Sequence, residues 1–371
     1  MMKIALLVHE YDRRVGHGRY VVELAERFSR EHDVHVFTHR VAEASDGRIR
    51  FHHVPAVRMT ALTMILTFPF GSWWRAREAF DVVHGQGLSA FSLDVATAHI
   101  CQEAWFDAVR ERDGRLGGRD WLFRSLIGRW ERALYHPART RWVIAISERV
   151  RAELARYYGR SARVVMIRPG VDLVRFHPAR RRRFRAAVRQ ALGYAEREFL
   201  LLYVGDLRKG AGEALRALAL LPDMHLLVIS RAPARRYREV AQRLGVSARV
   251  RFLSATDRIE DYYAASDALF FPTVYDAHGM VIWEAMASGL PVITTRAAGA
   301  AEIIRHGEEG LIVEEARDIP TLARYAQWLR EDAALREEIG QRARARVEAF
   351  SWDRAARETL CVYEQVRSMT V

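Results

Sequence analysis

The chain has 371 residues, 50% of them hydrophobic and 28% charged, which is ample for a packed core and favours two domains over one. Lys and Arg number 58 against 46 Asp and Glu, and the net charge of +12 is carried almost wholly by arginine, so the surface should attract anions such as phosphorylated substrates, anionic lipid or nucleic acid. The two cysteines, Cys101 and Cys361, stand far apart and in no metal-ligand spacing, which excludes a disulfide framework and fits a reducing cytosol.

Along the chain, short apolar runs alternate with longer amphipathic ones. The opening "MMKIALLVHEYD" has too short an apolar run for a signal peptide and reads as a strand, Ile4 to Val8, entering a polar loop. The loop "RRVGHGRY" leads into a helix with Val21, Leu24, Ala25 and Phe28 at helical spacing, and "DVHVFTH" is the next strand. "MTALTMILTFPFGSWW", Met59 to Trp74, is uncharged but broken by Pro69 and Gly71, and no segment reaches bilayer-spanning length. With Arg75 and Arg77 behind its aromatics, it suits a membrane interface or the filling of a core. "FDVVHGQG" and "VATA" are strands ending near His84 and His99; "RWVIAIS" is another, followed by the helix "ERVRAELARYY".

After residue 160 the pattern restarts. "ARVVMIRPGVD" and "EFLLLYVGDLRKG" are strands with loops, and "MHLLVIS", "ARVRFLS", "DALFFPT" and "LPVITT" are further strands with helical stretches mostly between them. Strand–loop–helix units of this size predict an α/β chain of two doubly wound parallel-sheet domains. Breaks at Pro169, Gly170 and Pro178 place the junction within 168–183. In such sheets ligands sit beyond the carboxyl ends of the strands, where "RRVGHGRY", "GDLRKG" and "YDAHGMV" all fall. The basic run "ARRRRFRAAVRQALG" holds one aromatic and lies beside the junction, which makes it a poor nucleic-acid face.

Arg208, Lys209 and Gly210 precede a helix start, where free N–H groups and a lysine suit a diphosphate, although the spacing is not that of a Walker loop. Gly16 and Gly18 permit close backbone approach at another helix start. Asp276 and Glu284 lie eight positions apart, one in a loop at a helix mouth and one inside that helix, with Gly279 between them. Ionised carboxylates accept hydrogen bonds from hydroxyls, so two sugars would suit this pair better than a diphosphate. Asp276 is otherwise a helix cap and Glu284 a solvated residue. No HExxH, paired CxxC or Asp-x-Asp occurs, so no metal site is expected.

The stretch "YDAHGMVIWEAMASGLPVITTRAAGAAEIIRHGEEGLIV" resembles the donor-binding core of retaining GT-B glycosyltransferases, in the large family numbered four. The family's mark is Glu, seven residues, Glu; Asp276 and Glu284 stand at its two ends here. "VVMIRPGVDLVRFHP", "YVGDLRKG", "DVVHGQG", "VIAISERVRAEL" and "FSWDRAARETLCVYEQV" match in order, and "HICQEAWFDAVRERDG" and "ERALYHPARTRWVIAIS" look most like lipopolysaccharide-core glucosyltransferases.

The resemblance implies a GT-B architecture: an acceptor-binding domain over 1–168, a donor-binding domain over 169–351 facing it across a cleft, and a helix over 352–371 crossing back to the first domain. It implies Lys209 and Arg208 on the donor diphosphate, with Gly16 and Gly205 close to it, and Glu284 on the ribose. Asp276 and the backbone of His278, Gly279, Met280 and Val281 would meet the transferred sugar, and His99 would lie beside it. His99, Asp276 and Lys209 form the expected catalytic set, and Gly18, His84 and Gln86 the acceptor side. Where the family carries an arginine after the strand glycine, this chain has Asp206. On this division UDP, which lacks the transferred sugar, should be indifferent to Asp276. The implied activity is metal-free, retaining transfer of a hexose from a nucleotide-sugar, UDP-hexose or alternatively a GDP-sugar, with no cofactor. The acceptor would be a glycolipid such as a lipopolysaccharide core, on the inner face of an anionic membrane with the protein cytoplasmic and peripheral. A rival is a sugar-nucleotide-binding protein without catalysis, to which Asp206 and Asp276 are the pointers.

Overall fold

The structure, a computed structural model, describes residues 1–42, 47–75, 80–114 and 118–369. The chain forms two compact units, Met1–Gly170 together with Trp352–Val371, and Val171–Ser351. The division falls two residues beyond the boundary expected from sequence.

In the first unit the elements run β1 (Lys3–Leu7), α1 (Gly16–Phe28), β2 (Asp33–Thr38), β3 (Ile49–His53), α2 (Ala61–Arg75), β4 (Val82–Gln86), β5 (Leu93–Ala98), α3 (Gln102–Asp113), α4 (Gly118–Leu134), β6 (Thr140–Ala145), α5 (Glu148–Tyr158) and β7 (Val164–Met166). The seven strands form one parallel sheet in the order β3-β2-β1-β4-β5-β6-β7. From Ile4 to Val8 every side chain is buried, as a strand covered on both faces requires. The strand in "ARVVMIRPGVD", read from sequence as the restart of the pattern, is instead the edge strand β7 of this first sheet.

The second unit runs α6 (Pro178–Leu192), β8 (Phe199–Val204), α7 (Ala211–Ala219), β9 (Met224–Ser230), α8 (Arg235–Arg243), β10 (Val250–Ser254), α9 (Ile259–Ala265), β11 (Ala268–Phe271), α10 (Met280–Ala287), β12 (Val292–Thr295), β13 (Leu311–Val313), α11 (Ile319–Glu331) and α12 (Ala333–Val347). Its parallel sheet has the order β10-β9-β8-β11-β12-β13, so that counted from β8 it is the 3-2-1-4-5-6 order of dinucleotide-binding folds. A last helix, α13 (Trp352–Ser368), returns to the first unit. There Tyr363 meets the ring of Phe28, Trp352 that of Tyr20, and Asp353 pairs with Arg27 at 2.7 Å.

Segment 59–74 departs from its sequence reading. From Ala61 onward it is one helix, α2, that continues through Pro69. A proline inside a helix removes a backbone bond and crowds the preceding turn. Burial of Met64, Phe68 and Ser72 along one face offsets that, and the Ser72 hydroxyl donates to the Ser89 carbonyl at 2.7 Å. Phe70 stays 61% exposed. The side chains of Trp73, Trp74 and Arg75, and the whole of Arg77, lie outside the described residues.

The basic run on α6 faces inward in large part. Arg180 pairs with Asp261, and Arg181, Arg185 and Arg189 converge on buried Asp267. Arg189 is 1% exposed and also donates to the carbonyls of Ala265, Ala195 and Glu198. The arginines that suggested a polyanion surface are, at these four positions, a buttress between α6 and α9.

Candidate functional site

Strands β8 and β11 are paired neighbours, so the loops at their carboxyl ends lie side by side. After β8 the chain passes Gly205 and makes a 3-10 turn, Leu207–Lys209, before α7. Asp206 caps that turn: its carboxylate accepts the Arg208 N–H at 2.9 Å and the Arg208 guanidinium at 2.8 Å. Partial burial works against its charge. The bonds and charge of Arg208, with the charge of Lys209, outweigh this and hold its carboxyl below the ordinary range. At Gly210 a Cβ would overlap the Pro272 carbonyl, so only glycine lets this turn reach the β11 loop. The Val274 N–H then donates to the Lys209 carbonyl at 2.7 Å. The outcome is an ion pair that the sequence separates by 67 positions: Lys209 Nζ lies 2.7 Å from Asp276 Oδ2.

Asp276 is buried, and its backbone is pinned to the 297–299 segment by bonds of 3.0 and 2.9 Å. Its other carboxylate oxygen accepts the His278 N–H at 3.3 Å. The His278 ring packs edge-on against Trp283, and Gly279, in the left-handed region, opens α10 without a side-chain cap. Met280 and Val281 form the half-buried first turn. Glu284 follows within the helix at 4% exposure, not solvated, and accepts the Tyr263 hydroxyl at 2.8 Å. Tyr263, on α9, also donates to the Val281 carbonyl at 3.2 Å. Sequence reasoning missed Tyr263: a tyrosine 21 positions before its partner, in a different helix, carries no local signal.

In the first unit, Gly16 is exposed at the start of α1, whose cap position is Val15, without a side-chain bond. The three residues expected on the acceptor side are all buried. Gly18 is buried, and a Cβ there would overlap the carbonyls of Asp12 and Glu10, so its lack of a side chain lets α1 pack on that loop. His84 lies inside β4 rather than after it, at 0% exposure, with Nδ1 2.6 Å from the Tyr363 hydroxyl and Nε2 2.7 Å from that of Thr97. Burial pushes its pKa down to about 3, so it is neutral. Gln86, also buried, stands between it and His99, with Oε1 2.7 Å from His99 Nε2.

Around His99, just past β5, two more imidazoles gather. His17 is 6.2 Å away ring to ring, and His9, set aside in the sequence reading, is 6.1 Å from His17 and 4.7 Å from Phe68. Burial, then the charge of His17, lowers the His9 pKa to about 3. The start of α3 behind His99 is held by Glu131 of α4, which accepts the Gln102 N–H at 2.8 Å and the Tyr158 hydroxyl. Burial pushes the Glu131 carboxyl up to about 8 in spite of those bonds. Among the described residues, no three His, Cys, Asp or Glu side chains come together as metal ligands would, and no helix is long and apolar enough to cross a membrane.

Comparison with known proteins bears on both units. Residues 15–175 match the family model Glycosyltransferase Family 4, and residues 184–346 match Glycosyl transferases group 1. A D-inositol 3-phosphate glycosyltransferase of Salinispora tropica is 28% identical over 402 residues, 94% of this chain and 80% of that protein. The crystal structure of WaaG, a glycosyltransferase involved in lipopolysaccharide biosynthesis, superposes with a TM-score of 0.83 at 23% identity over 97% of this chain and 99% of that one. HepE of Anabaena, solved in complex with UDP-glucose, gives a TM-score of 0.72 at 18% identity over 99% and 100% of the two chains. With one family match on each parallel-sheet unit, the chain belongs to the group 1, family 4 glycosyltransferases and has their GT-B fold.

Proposed function

We propose that the protein moves a hexose from a UDP-hexose to a hydroxyl of a glycolipid acceptor of the lipopolysaccharide-core class, with retention at the anomeric carbon and without a metal. The observation that carries this is the set Lys209, Asp276 and Glu284: one cation and two buried carboxylates presented from two adjoining strand ends. Lys209, Arg208 and the start of α7 neutralise the diphosphate, which Gly205 admits. Glu284, oriented by Tyr263, accepts from the ribose hydroxyls. Asp276 and the backbone of His278, Gly279, Met280 and Val281 take the transferred sugar, and His99 of the first unit has the catalytic role that the family resemblance implies. The protein supplies position and fixed charge, while the leaving phosphate accepts the proton of the hydroxyl attacking on the same face. The UDP-glucose complex of HepE supports a uridine donor.

Thermal unfolding in a panel of UDP- and GDP-sugars tests the donor. A UDP-hexose at one hundred times its dissociation constant should add about 2.7 kcal/mol of stability. Stabilisation by GDP-mannose alone would overturn the uridine assignment, and a bound donor that no acceptor discharges would leave a binding protein.

The acceptor reading is supported by apolar surface on the first unit. On α4, Trp121 is 62% exposed and Leu122 and Leu126 are exposed beside Arg129 and Arg132; Phe70 of α2 and Met59 are exposed as well. Aromatic and cationic side chains on one helix suit an anionic membrane surface. Vesicle flotation should show binding to anionic vesicles at low salt that Trp121→Glu weakens. Equal binding to neutral vesicles, or none to anionic ones, would remove the electrostatic attachment. The Salinispora relative favours a second reading, a soluble phosphorylated cyclitol as acceptor. Product formation from inositol 3-phosphate without lipid would select it.

A further inference from the structure

We infer that His84 and Gln86 form a positioning relay that sets which ring nitrogen of His99 carries the proton during sugar transfer. The inference rests on the catalytic role of His99 proposed above. A neutral imidazole has one N–H and one lone pair. His84 Nε2 faces the Thr97 hydroxyl at 2.7 Å and the Gln86 amide nitrogen at 3.4 Å. In this orientation of the Gln86 amide, whose nitrogen can only donate, His84 Nε2 is assigned as the acceptor and its Nδ1–H as the donor to the Tyr363 oxygen. With its nitrogen held there, Gln86 presents Oε1 to His99 at 2.7 Å. A carbonyl oxygen can only accept, so His99 Nε2 carries a proton and Nδ1 is left as the acceptor of the ring. Any hydrogen bond that His99 receives, from sugar hydroxyl or protein, then enters at Nδ1.

No member of this chain needs to ionise. His84 stays neutral wherever the pH is well above its value of about 3, so the setting holds across the physiological range. Tyr20 and His17 of α1 flank the His99 ring at 5.1 and 6.2 Å, and neither interrupts the bond to Gln86. His84 and Gln86 are buried and act through His99.

Long-range proton–nitrogen correlation spectra of the whole chain, with histidine labelled by nitrogen-15, read the tautomer directly and need no substrate. His99 should carry its proton on Nε2. Gln86→Glu keeps an acceptor toward His99 and should keep both the tautomer and most of kcat. Gln86→Met, similar in size but without the acceptor, should give mixed tautomers and lower kcat by about tenfold, the loss of one hydrogen bond in the transition state, with donor KM nearly unchanged. A proton on Nδ1 in the unsubstituted protein overturns the relay, as does a Gln86→Met protein with unaltered tautomer and kcat. Should Gln86→Met fail to fold, the spectrum of the unsubstituted protein decides alone. Failure of that protein to bind a UDP-hexose would count against the proposed function and leave the tautomer reading intact.

Discussion

Asp276→Asn is expected to tighten the binding of UDP while lowering turnover of the full donor, two effects of opposite sign from one substitution. From sequence alone UDP should be indifferent to this residue. The ion pair changes that expectation, because Asp276 holds Lys209 Nζ at 2.7 Å and sets a negative charge beside the place where a diphosphate would meet the lysine. Removing the charge frees the ammonium and relieves a repulsion; with the partial exposure of the pair, about threefold to tenfold tighter UDP is the reasonable scale. Turnover should fall about a hundredfold, roughly 2.7 kcal/mol of barrier, because contacts near the reacting carbon count most in the transition state. Lys209→Ala should weaken UDP and donor together by about 1.5–3 kcal/mol, as for a hydrogen bond to a charged group. Glu284→Gln should weaken both as well, since both contain ribose. Calorimetry with UDP and steady-state kinetics with UDP-hexose separate the three. Weaker UDP binding by Asp276→Asn would show that the carboxylate does not restrain Lys209.

The largest loss of stability is expected at Arg189→Met. This guanidinium is 1% exposed, lies 3.2 Å from Asp267 and donates to the Ala265 and Ala195 carbonyls at 2.8 and 2.9 Å. Methionine fills much of the volume but leaves buried carbonyls without donors and Asp267 short of one cation. Removing one partner of a buried pair costs about 3–5 kcal/mol. Arg185 and Arg181 still face Asp267 and place the expectation toward the lower end of that span. Arg185→Met, at a less buried position, should cost clearly less. Urea unfolding checks both, and a loss below about 1 kcal/mol at Arg189 would show that the buttress is dispensable.

What the sequence made legible follows from range of interaction. Runs such as "KIALL" and "FLLLYV" are strands buried on both faces, and a continuous apolar run states that locally. β3, "IRFHH", is an edge strand with exposed histidine and arginine, and it offers neither an apolar run nor clean alternation. α2 was misjudged at Pro69 because the burial that offsets the proline is tertiary. The site divides in the same way. Lys209 before a helix and Glu284 inside one can be recognised within a dozen residues. The partners that set their chemistry cannot: Asp276 for Lys209, Tyr263 for Glu284, and Tyr363 for His84, the last pair 279 positions apart. His84, Gln86 and Gly18 were expected to touch an acceptor because strand ends and glycine turns usually border a ligand. Only packing reveals that these three are buried.

The return of α13 to the first unit has a consequence for how the chain comes to be folded during its synthesis. The ribosome makes Met1–Gly170, then the whole of Val171–Ser351, and only afterwards Trp352 onward. At roughly 5–20 residues per second the wait is about ten to forty seconds. Throughout it Tyr20 and Phe28 lack the rings of Trp352 and Tyr363, and His84 lacks its phenol. The second unit, continuous in sequence, can close while the first is still open. The seven strands of the first sheet are all made by then, but the face that α13 covers is not, and that face is the stretch of nascent chain that chaperones would have to guard.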